Sequence, residues 1–161
     1  MKHQFPIHVQ VYIRNRDKTL FLHRTKKEND PLHDKWIAVG GKMEQGESPE
    51  DCAKREVKEE TDLDVVNLRM RGVIIFIAKD ADDDLRTSCA FIFETSDFKG
   101  EMMESPEGDL AWVRNDKVFD LNIFDKDELF LPWILDSNKF FSAKFFSVNG
   151  KLESHDVNFY D

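Results

Sequence analysis

The sequence predicts a mixed α/β fold, a mixed sheet with helices packed on it, and three observations carry that reading. Ile7, Val9, Val11 and Ile13 alternate with polar residues, the period-two signature of a half-buried strand. A capped helical segment opens at Ser48 and Pro49, and further apolar runs of strand length follow it. Near the end, Asn149-Gly150 separates two strand-like segments, a strong hairpin signal because Asn-Gly accepts the positive φ of a type I′ turn. Strands and helices interleave with no internal repeat or low-complexity linker, so residues 1–161 are expected to form a single domain.

The first strand leads through turn residues Asn15 to Lys18 into a second strand at Leu20 to His23, an opening hairpin. A polar loop with Pro31 follows, then a short run from Trp36 to Val39 closed by Gly40 and Gly41. Ser48 is placed as a helix N-cap, with Pro49 at the first helical position and Asp51 completing a capping box, and the helix should run to about Thr61. Val73 to Ala78 and Ser88 to Phe93 read as strands separated by the acidic turn Asp80 to Asp84, and Leu110 to Val113 as another short strand. Asp127 to Leu135 reads as a helix that Pro132 leaves kinked or begun late. Lys139 to Val148 and Lys151 to Tyr160 are the arms of the closing hairpin.

Composition narrows the function. A chain of 161 residues, 40% hydrophobic, suits one core. The first dozen residues hold no continuous apolar run of leader type and no segment approaches a membrane span, so no membrane association is expected. Cys52 and Cys89 alone imply neither a disulfide framework nor a thiolate metal site, and a cytoplasmic location is expected. A net charge of −9 argues against stable nucleic-acid binding, which rests on cations neutralising phosphates. Yet Arg24, Lys26, Lys27, Lys35 and Lys42 crowd the region just before the acidic helix, and a site holding both signs suits a metal-bound anion.

That helix carries the chemistry. Glu56, Glu59 and Glu60 fall within an arc of roughly 100° on one side of it. Such neighbours repel by roughly 0.2 to 0.5 kcal/mol per pair, while Ala53 and Val57 supply an adjacent apolar strip for docking. Clustered carboxylates on a rigid helix are what a hard divalent cation demands. A solvated face with interleaved Lys and Arg is the competing reading.

The flanks decide between them. Gly41, Glu47, Arg55, Glu56, Val57, Glu59, Glu60 and Leu63 reproduce the spacing of the Nudix hydrolase signature, which this stretch resembles, with Asp62 standing where that family has Gly. Asp tolerates the left-handed conformation in which helices commonly end. The resemblance implies a Nudix-type α/β/α sandwich and a Mg²⁺-dependent enzyme, with Mn²⁺ as substitute. Glu59 and Glu60 would be principal metal ligands, and Glu56 a further ligand, the general base, or both. Arg55 would orient the carboxylates. Glu47 would bind metal directly or through water, and the Gly40 carbonyl would add an oxygen, Gly being needed where chain and metal come close. Glu107 would complete the site, though Glu101 and Glu104 lie near it.

The wider chain, in "LHRTKKEND", "KWIAVGGKMEQGESP", "PWILDSNKFFSAKF" and "VNFYD", resembles the MutT-type branch, especially its Gram-positive members. That branch implies hydrolysis of oxidised purine nucleoside triphosphates such as 8-oxo-dGTP to the monophosphate and pyrophosphate. Phe124 occupies the position that stacks on the purine and Asp127 the one that reads its edge; otherwise they are a core ring and a helix N-cap. Arg24 and Lys42 could hold the phosphates, and His23 could approach the nucleotide or be structural. The same chemistry on an ADP-sugar, a dinucleoside polyphosphate or an RNA 5′ end, or a non-catalytic binding module, are the alternatives, and a monomer or homodimer fits either.

Overall fold

Alternation along the first strand decides how the layers stack. A computed structural model describes residues 5–161, so the leader-free reading of residues 1–4 lies outside the described residues. The strands are β1 (Ile7–Asn15), β2 (Lys18–Arg24), β3 (Trp36–Ile37), β4 (Val39–Lys42), β5 (Asp64–Val66), β6 (Arg69–Lys79), β7 (Leu85–Thr95), β8 (Asp97–Lys99), β9 (Gly108–Arg114), β10 (Phe140–Val148) and β11 (Lys151–Tyr160). The helices are α1 (Pro49–Thr61) and α2 (Asp125–Leu135), with a 3₁₀ segment at Asn115–Asp120.

The main sheet runs β11-β10-β6-β7-β1-β2-β3, with β4 also on β1 and β9 on β2. It is mixed: β1 pairs β7 and β10 pairs β6 in parallel, and the remaining pairs are antiparallel. Val9, Val11 and Ile13 point to one face, where they pack with Cys52, Ala53 and Val57 of α1. Tyr12 points to the other, into a cluster with Ile74, Ile92, Phe130, Ile134, Phe141 and Phe145, which brings in α2. Helices on opposite faces of one sheet make the α/β/α sandwich. Val57 is fully buried, and a side chain of that kind contributes roughly 1.5 to 3 kcal/mol; Val57→Asp would put an unpaired charge in the core and detach α1.

Helix α1 matches its signals. Ser48 accepts from the Asp51 N–H at 3.0 Å, and Asp51 accepts from the Ser48 N–H at 3.1 Å. At its far end Asp62 adopts φ 64°, the left-handed cap. The tail hairpin is as expected, with Asn149 at φ 49° and Gly150 at φ 80°. Other expectations need correction. The Trp36 to Val39 run splits, because Trp36 and Ile37 pair with β2 whereas Val39 onward pairs with β1. Helix α2 starts at Asp125, with Pro132 inside it, so the proline's missing donor neither delays the start nor ends the helix. Its N-cap is Phe124, which excludes that role for Asp127.

One irregularity positions α2. The β6–β7 register shifts between Met70 and Gly72, and Arg71 there is completely buried. Its guanidinium pairs with Glu94 at 3.1 Å and donates to the carbonyls of Ile134, Trp133 and Ser137 at 3.0, 2.9 and 2.5 Å. A bulge thereby re-aims a cation onto the carbonyl end of α2, where the helix dipole favours it.

Candidate active site

The hub of the acidic cluster is Arg55. It donates to both oxygens of Glu47 at 2.7 and 2.9 Å, to Glu56 at 2.8 Å, to Glu59 at 3.3 Å and to the Lys42 carbonyl at 3.0 Å. Bidentate, charge-assisted bonds fix both partners. Hydrogen bonding from Arg55 lowers the Glu47 carboxyl to about 2. Glu56 behaves oppositely, since burial raises it despite Arg55. Glu60 is 7% exposed; burial and the adjacent Glu107 carboxylate raise it far above the usual carboxylate range.

Two glycines let β4 approach its neighbours, α1 and β1. A Cβ on Gly41 would overlap the Glu56 carboxylate, and one on Gly40 would overlap the Val9 carbonyl. Packing against β1 is by itself enough to require glycine at position 40. Its N–H donates to Glu60 at 3.3 Å.

A cavity of about 1050 Å³ opens beside these groups. Gly40, Glu56, Glu60, Glu107, Arg24 and Lys42 line one end, and Phe124 and Asp127 the other. Glu47, Arg55 and Glu59 do not line the cavity, and the Glu59 side chain is 58% exposed. Glu101 and Glu104 do not line the cavity, whereas Glu107 does. Among the described residues no three His, Cys, Asp or Glu side chains close on a common point as a ready cation site, because Arg55 holds part of the acidic set. The donors still suit a hard cation: all are oxygens, and the burial and like charge that raise Glu60 are what a cation would relieve.

Arg24 lines the cavity with its charge already paired. Its guanidinium donates to Asp30 and to Glu107, each at 2.7 Å, so its charge is engaged by carboxylates and it orients Glu107. His23 stacks on Trp36 at 4.4 Å and 5°, bonds Asp34 at 2.8 Å, and does not line the cavity. Phe124 is half-buried, with the Lys35 and Lys126 ammonium groups 4.9 and 5.6 Å from its ring centroid. Burial raises the Asp127 carboxyl to about 7.

Sequence reasoning missed His8, Gln10, Phe76 and Lys126, which also line the cavity. The signal for two of them was present: His8, Gln10 and Tyr12 are the alternate set of β1, read as the solvent face. That face is covered, so its polar members meet the cavity and each other, Tyr12 donating to Gln10 at 2.9 Å.

Residues 4–134 match the NUDIX domain. A Bacillus subtilis (strain 168) protein named as an uncharacterized Nudix hydrolase, YvcI, is 39% identical over 97 residues, 60% of this chain. The chain spans only 58% of that relative's length. An oxidized purine nucleoside triphosphate hydrolase of Danio rerio is 32% identical over 123 residues, 76% of this chain and 73% of that protein. The crystal structure of a mutator MutT protein from Bacillus halodurans superposes with a TM-score of 0.86 at 28% identity, covering 96% of this chain and 98% of that one.

Proposed function

Because the chain belongs to the Nudix hydrolase family, we propose that it is a Mg²⁺-dependent nucleoside triphosphate pyrophosphohydrolase acting on oxidised purine nucleotides, 8-oxo-dGTP among them. The observation that carries this reading is the cavity's two ends, acidic at Glu56, Glu60 and Glu107 and aromatic at Phe124 beside Asp127. One nucleotide has the matching ends, phosphates that need a counter-charge and a flat base that needs a ring. The Danio rerio relative bears the name of that activity, and it is carried to this chain here.

Glu59, Glu60, Glu56, Glu47, Glu107 and the Gly40 carbonyl would hold the cation. When bound, Mg²⁺ supplies positive charge to the phosphates and acidifies a water. Arg55 keeps Glu47, Glu56 and Glu59 oriented. Glu56, raised by burial and set in the cavity wall, is the carboxylate assigned to take the proton of the attacking water. Lys42 faces the phosphates, and Arg24 holds Glu107 in place. Attack at phosphorus expels the other phosphate group without a covalent enzyme intermediate, leaving a monophosphate and pyrophosphate.

The test is product analysis with Mg²⁺ on 8-oxo-dGTP, dGTP, ADP-ribose, a dinucleoside polyphosphate and a 5′-triphosphorylated RNA. Pyrophosphate and 8-oxo-dGMP are the expected products, with 8-oxo-dGTP the preferred substrate. Faster cleavage of any of the last three substrates would overturn the reading.

A further inference from the structure

The base end of the cavity holds a cation in an unusual place. Lys126 lies in the first turn of α2, where the helix dipole favours anions and where the other charged residues are acidic, Asp125, Asp127 and Glu128. It is half-buried and lines the cavity. Its ammonium sits 4.9 Å from the Phe76 ring centroid and 5.6 Å from that of Phe124, and among the described residues it forms no ion pair within 4.0 Å. Phe76 is held in place by stacking on His8 at 6.1 Å and on Phe145 at 5.7 Å. A partly buried cation resting on two rings, with the dipole against it, is poorly satisfied by the protein alone.

A ligand would satisfy it. A base that stacks on Phe124 displaces the ammonium from that ring, and the flexible stem then brings it to the base's edge. An ammonium offers donors and no acceptor, whereas a carboxyl keeps an acceptor oxygen whether or not it holds its proton. Lys126 and Asp127 therefore present a donor beside an acceptor. The edge of a 6-oxopurine is the complement, a carbonyl at C6 next to N–H groups at N1 and on the C2 amine. A 6-aminopurine donates at C6, where the ammonium also donates, whether N1 accepts, as in adenine, or carries a hydrogen, as in 2-oxoadenine.

We propose that Lys126 is the specificity-determining residue of the base end, and that with Asp127 it selects purines bearing a carbonyl at C6 over those bearing an amine. This rests on the triphosphate hydrolase reading above and deepens it, since oxidised guanine nucleotides become substrates and oxidised adenine nucleotides do not.

The experiment compares kcat/KM for 8-oxo-dGTP, dGTP, 2-oxo-dATP and dATP in the wild type, Lys126→Met and Lys126→Arg. The wild type is expected to prefer the guanine nucleotides. Lys126→Met should lower their kcat/KM roughly tenfold to a hundredfold, mainly through KM, with adenine nucleotides unchanged or improved, and Lys126→Arg should retain the preference. An equal loss on all four nucleotides, or a ratio unmoved by Lys126→Met, overturns the role of Lys126 and leaves the hydrolase reading standing. If the wild type cleaves none of the four, the hydrolase reading fails. Calorimetric binding of GMP and AMP without metal then decides the Lys126 proposal separately. Tighter GMP binding that Lys126→Met abolishes supports it, and equal affinities in the wild type overturn it.

Discussion

Replacing Asp127 by Asn removes one titrating group from the base end while keeping its shape, and the consequence for stability follows from linkage. Burial raises this carboxyl from 3.8 to about 7, with Lys126 and Lys35 pulling it down and Asp125 pushing it up. The folded chain then binds the proton more tightly than the unfolded chain, so stability falls as pH rises through that window. Between about pH 5 and 8 the unfolded side chain remains ionised while the folded one loses its proton, which costs the wild type about 3 kcal/mol. Asp127→Asn lacks that loss, so its stability relative to the wild type should improve by this amount across the window. Urea denaturation followed by tryptophan fluorescence at several pH values measures it. Glu56 and Glu60 are raised as well and Glu47 is lowered, but both proteins share them and they cancel in the difference. Parallel stability curves, within about 0.5 kcal/mol, would refute the assignment of a half-buried, proton-holding Asp127.

Three further outcomes are expected. Glu59→Gln and Glu60→Gln should each lower kcat on the order of a hundredfold or more while the fold persists, since they remove cation ligands worth several kcal/mol at the transition state; near-normal turnover at saturating Mg²⁺ would remove them from the site. Excess chelator should stop hydrolysis, with Mg²⁺ or Mn²⁺ restoring it and Zn²⁺ serving poorly, because the donor set is all oxygen; undiminished turnover in chelator would exclude the metal-dependent mechanism. Phe124→Ala should raise KM for purine triphosphates about tenfold with little change in kcat, because lost stacking is a ground-state interaction; an unchanged KM would return Phe124 to the role of a packing residue.

What could be read from the chain alone is what the chain encodes locally. Helix α1 was legible to the residue because its cap, its first-turn proline and its left-handed Asp62 are all neighbours in sequence. The hairpin at Asn149-Gly150 was legible for the same reason. The parallel pairings of β1 with β7 and β10 with β6 were not, since nothing in one strand names a partner so distant in sequence. The short β5–β8 pair escaped because three-residue strands carry too few alternations to show a period. Arg71 lies outside the apolar run that starts at Val73, and a bulge that turns a charged side chain inward contradicts the polar-outward expectation on which the pattern rests.

The same division runs through the candidate site. Its acidic end comes almost entirely from one stretch, Gly40 to Glu60, with Glu107 brought in by the β2–β9 pairing that places Gly108 opposite Arg24. Spacing alone could announce that end. The base end is assembled from β1, β6 and the first turn of α2, and its geometry depends on what holds α2. The helix has no side-chain bond at its N-cap. Asp125 instead accepts from the Leu152 N–H of β11 at 3.1 Å, and Arg71 grips the opposite end through the Ile134 and Trp133 carbonyls. A base-reading group displaced by about 1 Å loses much of its effect on rate. The register of β11 and the bulge in β6 therefore bear on which base is accepted, although the residues that set them lie outside the cavity.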